Sequence, residues 1–149
     1  MSDTWRRGAH EISTDPARLD LDVVHGFLST SYWSPGVPRE TVERAARGSL
    51  AFGVYDVSGD RSRQVGYARV ITDRATFAYL ADVFVLPEHR GQGLARWLVE
   101  TIVAHPELQG LRRWMLVTRD AHGLYERVGF APLATPERVM ERVRRATPG

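Results

Sequence analysis

"FVLPEHRGQGLARWL", residues 84–98, decides how the chain is read. It begins with apolar strand-forming residues and a proline, and ends with leucines and a tryptophan at helical spacing. Between them stand Arg90, Gly91, Gln92 and Gly93. Glycine costs about 1 kcal/mol against alanine inside a helix, so two of them at a helix start need a reason. A helix N-terminus carries unpaired backbone N–H groups and the positive end of the helix dipole. It binds anions when a ligand can approach the backbone, and glycine removes the side chain that would block that approach. Arg90 adds a fixed positive charge. Residues 90–95 therefore read as a pyrophosphate-binding turn or, without a ligand, as a plain tight turn.

The flanking segments supply the expected elements. "HEIS" (10–13) reads as a short strand, and "DLDVVHGFLSTS" (20–31) and "PRETVERAARGS" (38–49) as helices. "SLAFGVYDV" (49–57), "QVGYARVIT" (64–72) and "TFAYLADVFVL" (76–86) read as strands joined by short turns, hence an antiparallel meander. The third is apolar nearly throughout, as in a strand covered on both faces. A helix from about Gly93 to His105 follows, then a strand "RRWMLVT" (112–118) and a short helix "DAHGLYERV" (120–128). A last strand is expected in "GFAPLA" (129–134) and a terminal helix in "TPERVMERVRR" (135–145). The expected order is β-α-α-β-β-β-α-β-α-β, an α+β fold with mixed strand directions. Tyr79 to Thr118 forms a strand–helix–strand unit, so its two strands should be parallel neighbours.

Composition narrows the function. The chain has 149 residues, 43% hydrophobic and 26% charged, as expected for one globular domain spanning 1–149. It has no cysteine, which excludes disulfides and thiolate metal sites. No segment reaches the ~18 apolar residues of a membrane helix, and the N-terminus has no signal-peptide core, so a cytoplasmic protein without membrane attachment is expected. A net charge of +2 gives no reason to expect nucleic acid binding. Lysine is absent, which excludes Schiff-base and Walker-type lysine chemistry. No histidine–carboxylate set has metal-ligand spacing, so no metal is expected. No serine–histidine–acid triad is legible.

"GQGLAR" lacks the third glycine of a dinucleotide fingerprint and has no clear acidic partner ~20 residues on. Arg90-Gly91-Gln92-Gly93-Leu94-Ala95 instead resembles the acyl-CoA motif of the GNAT N-acetyltransferase superfamily, Gln/Arg-x-x-Gly-x-Gly/Ala. It follows a strand ending "VFVLPEH". Downstream, "GLYERVGF" (123–130) resembles the family's tyrosine-bearing helix and the Gly-Phe after it. The element order matches over nearly the whole chain.

The resemblance implies a mixed, mainly antiparallel central sheet flanked by helices and splayed at the parallel strand pair that binds acyl-CoA. It implies acetyl-CoA as donor and no metal. The backbone of Val83, Phe84 and Val85 would line the pantetheine arm like an added strand, and residues 90–95 would hold the pyrophosphate. The Val85 N–H would polarise the thioester carbonyl. Tyr125 matches the tyrosine that protonates the departing thiolate. The reaction would be direct attack by a primary amine in a ternary complex. Asp82, inside an apolar strand, is the candidate base, or else the ion-pair partner of an arginine. Strand alternation puts Tyr79, Ala81 and Val83 opposite Asp82. Tyr79 stands roughly where some relatives carry a glutamate base. Asp120 should cap the helix that bears Tyr125, and His122, one turn before Tyr125, should be a surface histidine rather than a proton relay. Tyr32 and Trp33, in the loop "STSYWSPGVP" (29–38), would wall the pocket of a small-molecule or peptide amine acceptor. Val139, Met140 and Val143 of the terminal helix would pack on the sheet or on a second chain in a homodimer. The alternative is a GNAT-like module that senses acyl-CoA or binds a partner without turnover.

Overall fold

The computed structural model describes residues 2–144. Six strands form one sheet: β1 (Thr4–Arg7), β2 (His10–Ser13), β3 (Leu50–Asp56), β4 (Arg63–Thr72), β5 (Phe77–Val85) and β6 (Arg113–Met115). Their spatial order follows the chain order. Every neighbouring pair is antiparallel except β5 and β6, which are parallel. That exception follows from the chain path. A helix, α3 (Leu94–Val103), separates β5 from β6, and a crossover helix brings the second strand back in the same direction.

Each face of the sheet carries its own apolar cluster. On one face α3 buries Leu94, Leu98, Val99 and Ile102 against Ile12, Phe52, Val70 and Leu80. The other face lies under α1 (Leu21–Leu28) and α2 (Arg39–Arg47), whose Val24, Leu28 and Val42 meet Ala51, Tyr67 and Phe84. Asp20 starts α1: its Oδ1 accepts from the N–H groups of Asp22 and Val23 at 3.0 and 3.3 Å. Behind α3, His105 is 1% exposed. Its Nδ1 accepts from Glu107 N–H at 3.1 Å, which leaves Nε2–H to donate to Asp3 at 3.0 Å. This bond ties the N-terminus to the end of α3.

Three expectations are corrected. A strand, β1, stands before "HEIS"; "TWRR" has one apolar residue, Trp5, and no alternation to reveal it. Residues 129–134 form no strand. The neighbour they would need, β6, is only three residues long, and Pro132 has no N–H to donate. The terminal helix from Thr135 is a single 3-10 turn, Pro136–Arg138, and 139–144 are irregular; Arg145 lies outside the described residues. A helix this short needs a packed face. Here Val139, Met140 and Val143 are all exposed, Met140 at 93%. The observed order is β-β-α-α-β-β-β-α-β-α, ending in α4 (His122–Glu126).

Candidate active site

The parallel pair opens partway along. Pairing of β5 with β6 ends at Tyr79↔Met115, while β5 continues to Val85. The β4–β5 register runs from Arg69↔Ala81 to Tyr67↔Phe84, so β5 holds one residue more than β4 across that interval. This is a β-bulge, and Asp82 within it has φ +57°, a left-handed conformation that aspartate tolerates better than most residues. Strict alternation therefore fails here. By register Tyr79 and Ala81 share the face of Arg69, and the Asp82 carboxylate reaches that face too. Tyr79 and Ala81 are not opposite Asp82, as alternation alone requires. Val83 is, packing with Val85 towards α3.

A cavity of about 600 Å³ lies over the opening, with Tyr32, Trp33, Tyr79, Asp82, Thr118 and Tyr125 on its walls. Both oxygens of Asp82 are engaged. Arg69 Nε donates to Oδ2 at 2.6 Å, and Trp33 Nε1 donates to Oδ1 at 2.9 Å. The two charged side chains are only 11% and 19% exposed. Tyr32 joins the two sides of the opening. Its hydroxyl accepts from the Arg119 N–H at 3.2 Å, and the Arg119 guanidinium lies 3.7 Å from its ring centroid. The α1–α2 loop is thereby strapped to the loop after β6. Asp120 pairs with Arg119 at 3.2 Å and does not cap α4; the Thr118 hydroxyl accepts from Ala121 N–H instead, at 3.0 Å.

Tyr125 is buried between this cavity and a smaller one of about 300 Å³ between β6 and α4, where the exposed His122 also lies. Burial, with a smaller contribution from Tyr32, pushes the Tyr125 phenol up to about 12. It holds its proton at any physiological pH.

The glycine turn lies at the far end of β5. Arg90 Nε donates to the Val85 carbonyl at 3.0 Å, folding the turn onto the strand end. Gly91 and Gly93 have φ of +83° and +75°, where an L side chain is strained. Gly93 occupies the N-cap of α3, and the first satisfied amide is Trp97 N–H, bonded to Gly93 O. The amides of 91–96 make no hydrogen bond among the described residues. Buried Leu94 anchors the helix start, and Ala95 is half-buried beside it. Leu86 N–H bonds Val65 O on the β4 side, so by alternation the N–H groups of Val83 and Val85 face the open edge. The Phe84 ring points elsewhere, stacked on Phe27 with centroids 4.1 Å apart. A turn of free amides reached along an open strand edge fits an extended ligand with a diphosphate end.

One neighbour of the turn had no signal in the sequence. Arg7 Nη2 donates to the Gln92 and Gly93 carbonyls at 3.3 and 3.4 Å, and its guanidinium lies 5.0 Å from the Trp97 ring centroid. Arg7 belongs to β1, and only pairing of β1 with β2 carries it there.

A mixed sheet opened at its parallel pair, with a glycine turn of free amides heading the crossover helix, is the architecture of the GNAT acetyltransferase class. Residues 51–132 match the family described as Acetyltransferase (GNAT) domain, and the chain belongs to that family. It is 38% identical over 114 residues to a Gibberella zeae protein provisionally named an acetyltransferase. That match takes in 66% of this chain, and the chain spans 64% of that relative's length. The crystal structure of a provisionally named GNAT-family acetyltransferase from Xanthomonas campestris pv. campestris aligns with a TM-score of 0.85 at 51% identity, over 91% of this chain and 93% of that one. A GNAT family acetyltransferase of Streptococcus pneumoniae TIGR4 shares the fold, with a TM-score of 0.66 at 24% identity over 98% and 100% of the two chains. No helix among the described residues is long and apolar enough to cross a membrane.

Proposed function

We propose that the protein is an acetyl-CoA-dependent N-acetyltransferase, with 1–149 as one GNAT domain, acting on a small-molecule or peptide amine by direct attack in a ternary complex. One observation carries this reading. The opening between β5 and β6 has backbone N–H groups of Val83 and Val85 on one side and the protonated, buried Tyr125 near the other. Acetyl-CoA would supply the activated thioester. The amides of 91–96, with Arg90 and Arg7 beside them, would hold its pyrophosphate, and the edge of Val83 and Val85 its pantetheine arm. Val85 N–H is the candidate donor to a carbonyl oxygen in the opening. Tyr125 holds a proton for the leaving sulfur. With no cysteine, no thiol of this chain can carry the acetyl group.

The acceptor pocket combines the rings of Tyr32, Trp33 and Tyr79 with the carboxylate of Asp82. Aromatic faces around a carboxylate suit a cationic amine. We assign Asp82 to drawing in the ammonium and receiving its proton. The test is CoA thiol release from acetyl-CoA across a panel of amines and N-terminal peptides. Acceptor-dependent release is expected. Acetyl-CoA binding without release by any acceptor would leave the sensing module, and absence of binding would remove both readings.

Self-association is proposed on the exposure of Val139, Met140 and Val143. Light scattering should find a dimer; a single 16.8 kDa species at high concentration removes it.

A further inference from the structure

We propose that His10, Asp56 and His89 form a binding site for one divalent transition-metal ion, with Zn²⁺ the cation they suit best. The site is separate from the acceptor cavity and does not depend on the acetyltransferase reading. The fold brings together three residues with no metal-ligand spacing along the chain. His10 on β2 and Asp56 on β3 are paired directly across the sheet. His89 ends the 3-10 turn Pro87–His89 that follows β5. One ligand atom from each lies within 4.8 Å of the other two, and all three residues are half-buried.

Two further observations point to a ligand. The Nε2 atom of His10 is sealed from solvent and has no hydrogen-bond partner among the described residues. A buried polar atom left in this way is uncommon in folded proteins and calls for an ion or water. Asp56 is already oriented: Ser58 donates to its Oδ1 from the backbone N–H at 2.9 Å and from Oγ at 2.6 Å. Such a bond to a ligating carboxylate is the usual support of a metal ligand. The two imidazole rings meet edge to face, with centroids 6.4 Å apart at 85°, which brings their nitrogens to one place. Arg7, opposite His10 on β1, directs its guanidinium to the carbonyls of Gln92 and Gly93.

Ligand atoms around a tetrahedral zinc sit ~2.1 Å from the ion and hence ~3.4 Å from one another. Binding would therefore draw the three ligand atoms inward by rotation of the two imidazoles. Two nitrogens and one carboxylate favour zinc and its neighbours over calcium or magnesium, which prefer all-oxygen shells. Three protein ligands leave a fourth position for water. His89 immediately precedes Arg90, so the ion would pin the start of the glycine turn to β2 and β3.

The test uses the full chain, free of any affinity tag and stripped with a chelator. Zn²⁺ is titrated by calorimetry, and Co²⁺ serves as the visible probe. One site per chain is expected, with the strong visible absorption of low-coordinate Co²⁺. His10→Ala and His89→Ala should each weaken Zn²⁺ binding at least ~10-fold, since even outer partners of metal ligands are worth that much. His10→Gln and His89→Gln serve if the alanine variants misfold. In wild type, Zn²⁺ should move the imidazole NMR signals of two of the five histidines. Absence of saturable binding overturns the site, as does unchanged affinity in both single variants or movement of no imidazole signal.

Discussion

Tyr125 is both a buried ring in the core and a hydroxyl at the opening. Tyr125→Phe keeps the ring and deletes the donor. General acid catalysis contributes ~10²–10⁴-fold, and a thiolate leaves readily, so a fall in kcat near ~10²-fold or less is expected. Acetyl-CoA affinity and Tm should stay near wild type. Wild-type turnover with chemistry rate-limiting would remove Tyr125 from the mechanism. Asp82 carries a second prediction. Asp82→Asn leaves the mostly buried Arg69 without its counter-charge. Fully buried pairs cost ~3–5 kcal/mol when broken, so about 1–3 kcal/mol is expected for this partly exposed one. The KM of an amine acceptor should rise as well. If Tm falls and neither kcat nor the acceptor KM moves, Asp82 is only a structural partner of Arg69. Residue type made Asp82 visible, as a carboxylate inside an apolar strand, whereas Tyr125 stood out only through the resemblance of "GLYERVGF". The partners that define Asp82 come from β4 and from the α1–α2 loop, so local sequence could not name them.

The decisive element is the start of α3. Acetyl-CoA at 100 times its Kd should stabilise the fold by ~2.7 kcal/mol. For a chain of this size that raises Tm by roughly 5–10 °C. Gly93→Val acts twice, because φ at Gly93 is +75°. Left-handed backbone costs a residue with a side chain ~1–2 kcal/mol, so the ligand-free Tm should itself fall. The ligand-induced shift should fall further, because the valine side chain blocks the approach to the amides. A variant that loses Tm and keeps the full acetyl-CoA shift would show that the turn is structural and binds no pyrophosphate. The glycine pair and the helix period were legible because both are local. The bulge at Asp82 was not, since it is defined by a mismatch with β4.

At the scale of the molecule, the phenols set the response to alkali. Burial pushes Tyr55 and Tyr125 up to about 12 from an ordinary 10.0, and pushes Tyr67 higher still. In the unfolded chain these groups lose their protons near 10, while in the folded chain they keep them. Their contribution is full below pH 10 and is lost as pH rises towards 12, so Tm should decline across that window. The Tyr55 hydroxyl has no hydrogen-bond partner among the described residues. Tyr55→Phe removes that unpaired buried hydroxyl, so it should keep or raise neutral-pH stability and flatten the alkaline decline. A wild-type Tm that stays level through the window would contradict the burial of these hydroxyls.

By itself the sequence determined the α+β class, the helices from Leu21, Arg39 and Leu94, the meander β3–β4–β5, the parallel crossover to β6 and the glycine turn. All of these follow from short-range periodicity, turn residues and backbone preferences, which act within a few residues. Tertiary structure alone decided whether the weakly patterned ends form elements. "TWRR" became a strand because β2 offers it an edge, while residues 129–134 did not because β6 is too short to receive them. It also placed Tyr79 on the face of Asp82, brought Arg7 to the turn, and set His10, Asp56 and His89 within reach of one another. These juxtapositions join residues far apart in the chain. They are fixed by sheet register and by the packing of its two faces, neither of which leaves a local pattern to read.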